Sequence, residues 1–420
     1  MHIQAIDDST DETTALIQAR LAYHRKHHVQ IELIHRKERQ GYKAGALAAV
    51  LPVAKGDFIA IFDADFLPPK DFLQQLIPYF FTDTQIGMVQ SRWGHLNAHY
   101  SLLTRAQALT LDGHMVVEQT ARYRNALPFN FNGSAGIWRR TCIEQSGGWQ
   151  SDTLSEDLDL SYRAQMKWWR FLYISEVITP AEVPPQILAF KQQQFRWARG
   201  SIQVALKNLP VLWTSPLSFA QRLAGTLHVT SYLAHPLMIL LLLTSLPLAI
   251  TTSAPSPALG LASLAGFGPP LIYGVSQWAA YKDWHKRLAY FPFLLFIGVG
   301  VAFNNTCAIL GALKRNTQFN RTPKFKLESQ HDHWHSKEYA LPLDWSVGFE
   351  IAFAIYAWCA LWFAIERAPS MAPFLILGAL GFSYMSGISL WQQFMPDNNS
   401  SFSPQQTYTA HEEENLSRSF

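Results

Sequence analysis

Asp63-Ala64-Asp65 closes the apolar run Phe58 to Phe62, and two carboxylates one residue apart at a strand end can hold a divalent cation. Mg2+ or Mn2+ held this way bridges a protein to a diphosphate and eases that group's departure. The same pair serves equally well as a turn or a helix cap. Further on, Ser155-Glu156-Asp157-Leu158-Asp159 sets a run of acids before a helix-like stretch containing Tyr162, Met166 and Trp169. One of these carboxylates could take the proton from an attacking hydroxyl; the run could also simply cap a helix and complement its dipole. Gln193-Gln194-Phe195-Arg196-Trp197 offers a guanidinium to neutralise a departing diphosphate and an indole face for a ring to lie on. Its alternative is a basic and aromatic anchor just before a membrane span. Between these motifs lies Phe129-Asn130-Phe131-Asn132-Gly133-Ser134-Ala135-Gly136, whose two glycines permit backbone to approach a ligand closely or make an ordinary tight turn.

These residues need a scaffold, and the first 200 or so positions alternate strand-like and helix-like patterns. Ile3 to Ile6 reads as a strand ending in Asp7-Asp8-Ser9, Thr13 to His28 as a helix, Ile31 to His35 as a strand, Gly41 to Leu51 as a helix and Phe58 to Phe62 as a buried strand. Strands separated by helices predict an α/β fold with a mainly parallel sheet, whose ligands sit beyond the carboxyl ends of the strands. Two of these strands end in acidic pairs, so the carboxylates stand where that rule puts chemistry.

Beyond Arg222 the composition changes. Charged residues are 15% of the chain and apolar ones 49%, and the charges crowd into the first half. Leu227 to Ile250, Ala258 to Tyr281, Leu288 to Leu313 and Met371 to Phe394 carry no formal charge, and Ser346 to Phe363 carries only Glu350. Each approaches the ~20 apolar residues that cross a bilayer. Pro184-Pro185 and Pro210 to Pro216 are expected to break the chain into short pieces, with residues 210–226 interfacial. The tail, 395–420, is polar, aperiodic and expected to be disordered. A net charge of +3, scattered along the chain, argues against nucleic-acid binding. Cys142, Cys307 and Cys359 are odd in number and far apart, which suits reduced thiols serving as buried filler. Met1 to Ile6 reads as a strand, with no secretory pattern.

Taken in order, Asp7-Asp8-Ser9, Gly41-Tyr42-Lys43-Ala44-Gly45, Asp63-Ala64-Asp65, Phe131-Asn132-Gly133-Ser134, Ser155-Glu156-Asp157 and Gln193-x-x-Arg196-Trp197 resemble the motif set of processive family 2 glycosyltransferases. The resemblance is to cellulose synthases and the cellulose-synthase-like mannan and glucan synthases, and it runs from residue 1 to about 394. It implies a cytoplasmic GT-A-like nucleotide-sugar-binding domain, residues 1–209, followed by an α-helical transmembrane region, 227–394. Asp7 and Asp8 would contact the nucleobase and Lys43 the diphosphate. Asp63 and Asp65 would hold the donor and its Mg2+ or Mn2+. Phe131, Asn132, Gly133, Ser134, Glu156 and Trp197 would border the acceptor, Asp157 would be the general base and Arg196 would line the pyrophosphate site. One base without a partner nucleophile implies a single displacement that inverts the donor to a β-linkage. The usual T-E-D is Ser155-Glu156-Asp157 here, which keeps a hydroxyl. Family members carry at least one membrane helix and a first strand before the position matching Ile3, so the sheet is expected to lack that strand.

Membrane topology then becomes testable. A cytoplasmic donor site requires the chain to leave at Leu227 and return by Tyr281, where Lys282, Lys286 and Arg287 agree with the positive-inside tendency. If Leu288 to Leu313 also spanned, Lys314, Arg315, Arg321, Lys324 and Lys326 would be stranded outside. That stretch, with Gly298, Gly300 and Asn304-Asn305, is therefore expected to be interfacial or re-entrant. Phe319-Asn320-Arg321-Thr322-Pro323-Lys324, within the loop 314–326, resembles the family's F-x-V-T-x-K gating loop, with Arg321 replacing Val. It would cover the donor pocket and exclude water through Phe319, Thr322 and Lys324; otherwise it is a basic loop on anionic lipid. Two final spans between Ser346 and Phe394 make four crossings of an integral, multi-pass membrane protein. The implied activity is transfer of a hexose from UDP-glucose or GDP-mannose to a growing β-linked polysaccharide. Transfer of one sugar to ceramide or diacylglycerol, and an inactive membrane scaffold, are the alternatives.

Overall fold

The computed structural model describes residues 1–251, 266–314, 321–327, 332, 334 and 340–394. Helices of nine residues or more are numbered. β1 (Ile3–Asp7) and β2 (Ile31–His35) pair in parallel, with Ile3 opposite Ile31 and Asp7 opposite His35, and α1 (Thr13–Lys26) makes the crossover that a parallel pair needs. α2 (Tyr42–Val50) leads to a second sheet of β3 (Phe58–Ile61), β4 (Ile86–His95), β5 (Gly136–Arg139) and β6 (Arg170–Ala181), ordered β3-β5-β4-β6. β4 and β6 are parallel, whereas β5 is antiparallel to both of its neighbours.

The expected mainly parallel sheet is thus a mixed one. Its cause is local: Ala135 N–H donates to Ile61 C=O at 2.8 Å, so β5 starts where β3 ends and has to run back along it. Alternation along β5 then buries Trp138 on one face, with Phe131, Trp149 and Phe171 edge-on around it, and Ile137 on the other with Phe80 and Val89.

α3 (Leu102–Asp112) continues through a π-helical stretch, Gly113–Gln119, into the short helix Thr120–Arg124. α4 (Glu156–Gln165) precedes β6, and α5 (Ile187–Thr214) follows it for 28 residues. The break expected at Pro210 does not occur. Pro210 sits in the last turns of α5, where the lost N–H weakens a helix already held by its buried Ala205, Asn208 and Leu212. α6 (Phe219–Val229), started by a Ser218 and Gln221 capping box, leaves Phe219, Leu223 and Leu227 exposed at i, i+4, i+8. That stripe is the kind of surface the interfacial reading of 210–226 requires.

Among the described residues three helices are long and apolar enough to cross a membrane: Ser231–Thr251, which contains α7 (Ala234–Thr251); α11 (Ser346–Arg367); and Pro369–Phe394, which contains α12 (Ala372–Phe394). α8 (Gly268–Ala280) is shorter, the first part of its expected span lying outside the described residues. Trp284–Gly300, which contains α9 (Phe291–Gly300), is bent by 41° against α10 (Ala302–Ala312). The bend falls at the glycine-rich point of Leu288 to Leu313, the stretch expected to be interfacial or re-entrant. Cys142 is buried filler as expected, but Cys307 is half-buried and Cys359 is exposed beside Trp358 and Trp362 on the outward face of α11.

Candidate active site

The site assembles at the carboxyl ends of the strands. Asp63 and Asp65 follow β3. Lys43, on the first turn of α2, places its Nζ 2.5 Å from Asp63 Oδ1 and 2.9 Å from Gly133 C=O. Asp63 N–H donates to Ser134 Oγ at 2.9 Å, so the loop before β5 and the turn after β3 hold each other. Gly133 has φ +84°, and a Cβ there would lie 2.8 Å from Asp157 Oδ2 and 3.7 Å from Lys43 Nζ. Only glycine allows both this backbone conformation and this approach. Lys43, Asp63, Gly133, Ser134 and Asp157, drawn from over a hundred positions of sequence, therefore share one small volume.

α4 presents Asp157 from its first turn. Ser155, at the N-cap position, makes no side-chain cap, and Asp157 Oδ1 instead accepts the Leu158 N–H at 2.8 Å, leaving Oδ2 toward Gly133. Capping alone does not account for the acids. α5 packs so tightly on the Ser155 loop that a Cβ at Gly200 would sit 2.1 Å from Ser155 Oγ. This contact brings Arg196, one turn earlier, within electrostatic range of Glu156, Asp63 and Asp157.

Burial and mutual charge set the protonation states. Burial raises Asp157, Lys43 opposes the rise and Asp63 adds to it. Glu156 is pushed up to about 7, first by burial and then by Asp157. Burial alone would depress Lys43, but Asp63 and Glu156 carry it above its ordinary value. Burial lowers Arg196, opposed by the same carboxylates.

Other expected residues are placed differently. Phe131 is fully buried against Trp138, and Ser134 is buried beneath Asp63; Asn132 and Gly133 are what the loop turns toward the site. Asp7 is buried at the end of β1, where Ser9 N–H, Thr14 Oγ1 and His35 Nδ1 surround it; burial would raise it, but the Ser9 and Thr14 hydrogen bonds bring it to about 2. Asp8 takes a two-pronged bond from Arg36, at 2.7 and 2.5 Å, and Arg36 also donates to Tyr42 C=O at 2.9 Å, next to Lys43. Trp197 follows Arg196 on α5, half-buried. Phe319 lies outside the described residues. Thr322 is described, and Lys324 Nζ reaches Asp65 Oδ2 at 2.8 Å. Glu182 ties this loop down by accepting Phe325 and Lys326 N–H at 3.0 and 2.9 Å.

Sequence pattern alone does not single out Arg36, Glu182 or Gln90. Gln90 Nε2 donates to Ser134 and Ala135 C=O at 3.1 and 3.0 Å while its Oε1 accepts Asn132 N–H at 3.1 Å, fastening the loop to β4. Nothing but the apolar setting of a glutamine in β4 could have marked it. Among the described residues no three His, Cys, Asp or Glu side chains gather as a metal site. Asp63 and Asp65 stand as a pair, and Asp65 Oδ2 is buried with no directed hydrogen bond beyond the nearby Lys324 charge. Two carboxylates suit a cation that arrives with a diphosphate and takes its remaining ligands from phosphate and water.

The family model "Glycosyltransferase like family 2" matches residues 4–200. This segment is a family 2 glycosyltransferase domain. Its mixed sheet with helices on either side is GT-A-like. Glucomannan 4-beta-mannosyltransferase 1 of Oryza sativa subsp. japonica is 39% identical over 212 residues, 49% of this chain and 40% of the relative. The match thus spans about two fifths of that relative's length. Among solved structures, a mannosyltransferase from Pyrobaculum calidifontis in complex with GDP-Man and Mn2+ is similar with a TM-score of 0.47 and 20% identity, over 74% of this chain and 77% of that one.

Proposed function

We propose that the chain is a membrane-embedded inverting hexosyltransferase that moves a sugar from a nucleotide-sugar donor to a growing β-linked polysaccharide. The observation that carries this is the gathering of Asp63, Lys43, Gly133 and Asp157, with Lys324 of the membrane half seated on Asp65. The identity to a glucomannan 4-beta-mannosyltransferase supports mannose as the sugar and a β-1,4-linked mannan as the polymer.

In this reading the acceptor hydroxyl oxygen bonds to the anomeric carbon as the bond from that carbon to the diphosphate breaks. Asp157 Oδ2 accepts the hydroxyl proton, and its raised affinity for a proton suits a base working near neutral pH. The leaving diphosphate keeps the electron pair, and Lys43 and Arg196 face the charge that develops on it. Asp63 and Asp65 would hold Mg2+ or Mn2+, which supplies charge neutralisation for the diphosphate. No second carboxylate is used as a nucleophile, so one displacement inverts the anomeric centre. The Lys324 contact with Asp65 at 2.8 Å supports a role for residues 321–327 in covering the donor side, on the same side of the membrane as the catalytic domain.

Membranes containing the protein, given labelled GDP-mannose and UDP-glucose in turn with Mg2+ or Mn2+, test the proposal. Expected is ethanol-insoluble label released by a β-mannanase, and none from an Asp157→Asn variant. Label confined to a chloroform-soluble glycolipid would instead favour the lipid acceptor.

A further inference from the structure

The π-helical stretch after α3 carries His114 and Glu118 against the acceptor loop. His114 Nδ1 lies 2.9 Å from Glu118 Oε2, and His114 Nε2 lies 3.1 Å from Asn132 Oδ1. Which atoms carry hydrogens follows from a backbone carbonyl. Phe131 C=O can only accept, so the Asn130 atom 3.1 Å from it is the amide nitrogen. That same Nδ2 lies 3.1 Å from Asn132, which must therefore present its oxygen. Asn132 Oδ1 in turn requires a hydrogen on His114 Nε2, and the Glu118 carboxylate requires one on Nδ1. A ring held between two acceptors is an imidazolium. The Asn132 amide is thereby locked with its nitrogen turned away from these donors, and among the described residues its one polar neighbour there is the thioether of Met115 at 3.9 Å, a weak acceptor.

Resting on the preceding reading of the site, we propose that His114 is a positioning residue for the acceptor: clamped as an imidazolium by Glu118, it fixes the Asn132 amide so that its N–H edge binds a hydroxyl oxygen of the acceptor's terminal sugar. Asn132 adjoins Gly133, the residue in contact with Asp157, so an acceptor held there lies beside the base. A π turn re-aims side chains within a helix and recurs at functional sites. Gly113 lets Tyr273 of α8 press on this turn, since a Cβ there would sit 2.6 Å from the ring. His114 and Glu118 keep 26% and 39% of their side chains exposed, as groups lining an open site do.

The charged and titratable groups around His114 and its partner Glu118 are Arg122 on the same helical run, His228 of α6 with Tyr162 of α4 bonded to it, Tyr273 of α8, and Tyr232 in the turn after α6. Burial and Arg122 oppose the charge; Glu118 and the Asn132 bond outweigh them and hold His114 above its ordinary value. The imidazolium is present below that raised value and lost as pH climbs through it, leaving a lone pair facing an acceptor.

The test measures initial rates on β-1,4-manno-oligosaccharides with the full chain in detergent. Expected for His114→Ala is an acceptor KM raised about tenfold, the worth of one hydrogen bond, at unchanged donor KM. The wild-type acceptor KM should climb on the alkaline side, and His114→Gln should abolish that climb. Wild-type acceptor KM and an intact alkaline limb in both variants would overturn the proposal. A wild-type enzyme that transfers nothing to oligosaccharide overturns instead the reading of the site. The charge is read separately by nitrogen-15 spectra of histidine-labelled protein, with His114→Gln for assignment. Two protonated ring nitrogens at neutral pH are expected, and a neutral ring would sink the clamp whatever the turnover.

Discussion

A carboxylate stripped of water holds its proton more tightly, and this decides what Glu156 and Asp157 do. Asp157, with Oδ2 free toward Gly133, is expected to be indispensable: Asp157→Asn should cut sugar transfer by about 10²- to 10⁴-fold while the unfolding transition stays cooperative. Glu156 faces inward, and its carboxyl, raised from 4.5 to about 7, binds a proton more strongly folded than unfolded. Its favourable contribution is thus present at low pH and lost as pH rises from about 4.5 to 7. Thermal unfolding of Glu156→Gln should therefore gain on the wild type between about pH 5 and 8; a constant gap would mean Glu156 ionises freely. Asp63, Asp157 and Arg196 are singled out in the sequence by the order and spacing of their motifs, since each motif alone also reads as a turn, a helix cap or an interfacial anchor. Arg36, Gln90 and His114 are not, because each takes its meaning from partners at least several residues, and usually dozens, away.

Between elements, α5 and the loop before α4 form a tight joint. A methyl group at Gly200 meets Ser155 Oγ at 2.1 Å and Ser155 N at 3.0 Å, so rotating the hydroxyl aside does not clear it. Gly200→Ala should cost about 1–3 kcal/mol of stability by overpacking, and it should reduce turnover more than donor KM, since α5 also carries Arg196. A variant as active and as stable as the wild type would show that the helix slides freely. Periodicity places β1, β2, β3, α1 and α2 to within about two residues. It misses the reversed direction of β5, since strand direction depends on where the chain enters the sheet. It also overrates Pro210, which a long packed helix absorbs near its end.

At the scale of the molecule, the two halves are joined by a buried ion pair. Lys191, on the second turn of α5, places Nζ 2.5 Å from Glu350 Oε1 and 2.7 Å from Ser346 Oγ of α11, and Asn304 of α10 donates to the Lys191 carbonyl at 3.0 Å. Removing one partner strands the other, so Glu350→Ala should lower stability in detergent by about 3–5 kcal/mol, and Lys191→Met in addition should restore much of it. Charge-free stretches in the sequence mark the helices that are long and apolar enough to cross a membrane; which helix receives Lys191 depends on packing that composition does not encode. Lys191 and Arg196 ride the same rigid rod, five residues apart, roughly 7.5 Å along its axis. On the proposed reading, any tilt that α11 adopts to suit the thickness of a bilayer would be passed along α5 to Arg196, the cation proposed to meet the departing diphosphate. Reconstitution in short-chain and long-chain phosphatidylcholine should accordingly shift turnover while substrate affinity holds, making the bilayer's own dimensions a tuning parameter of the chemistry.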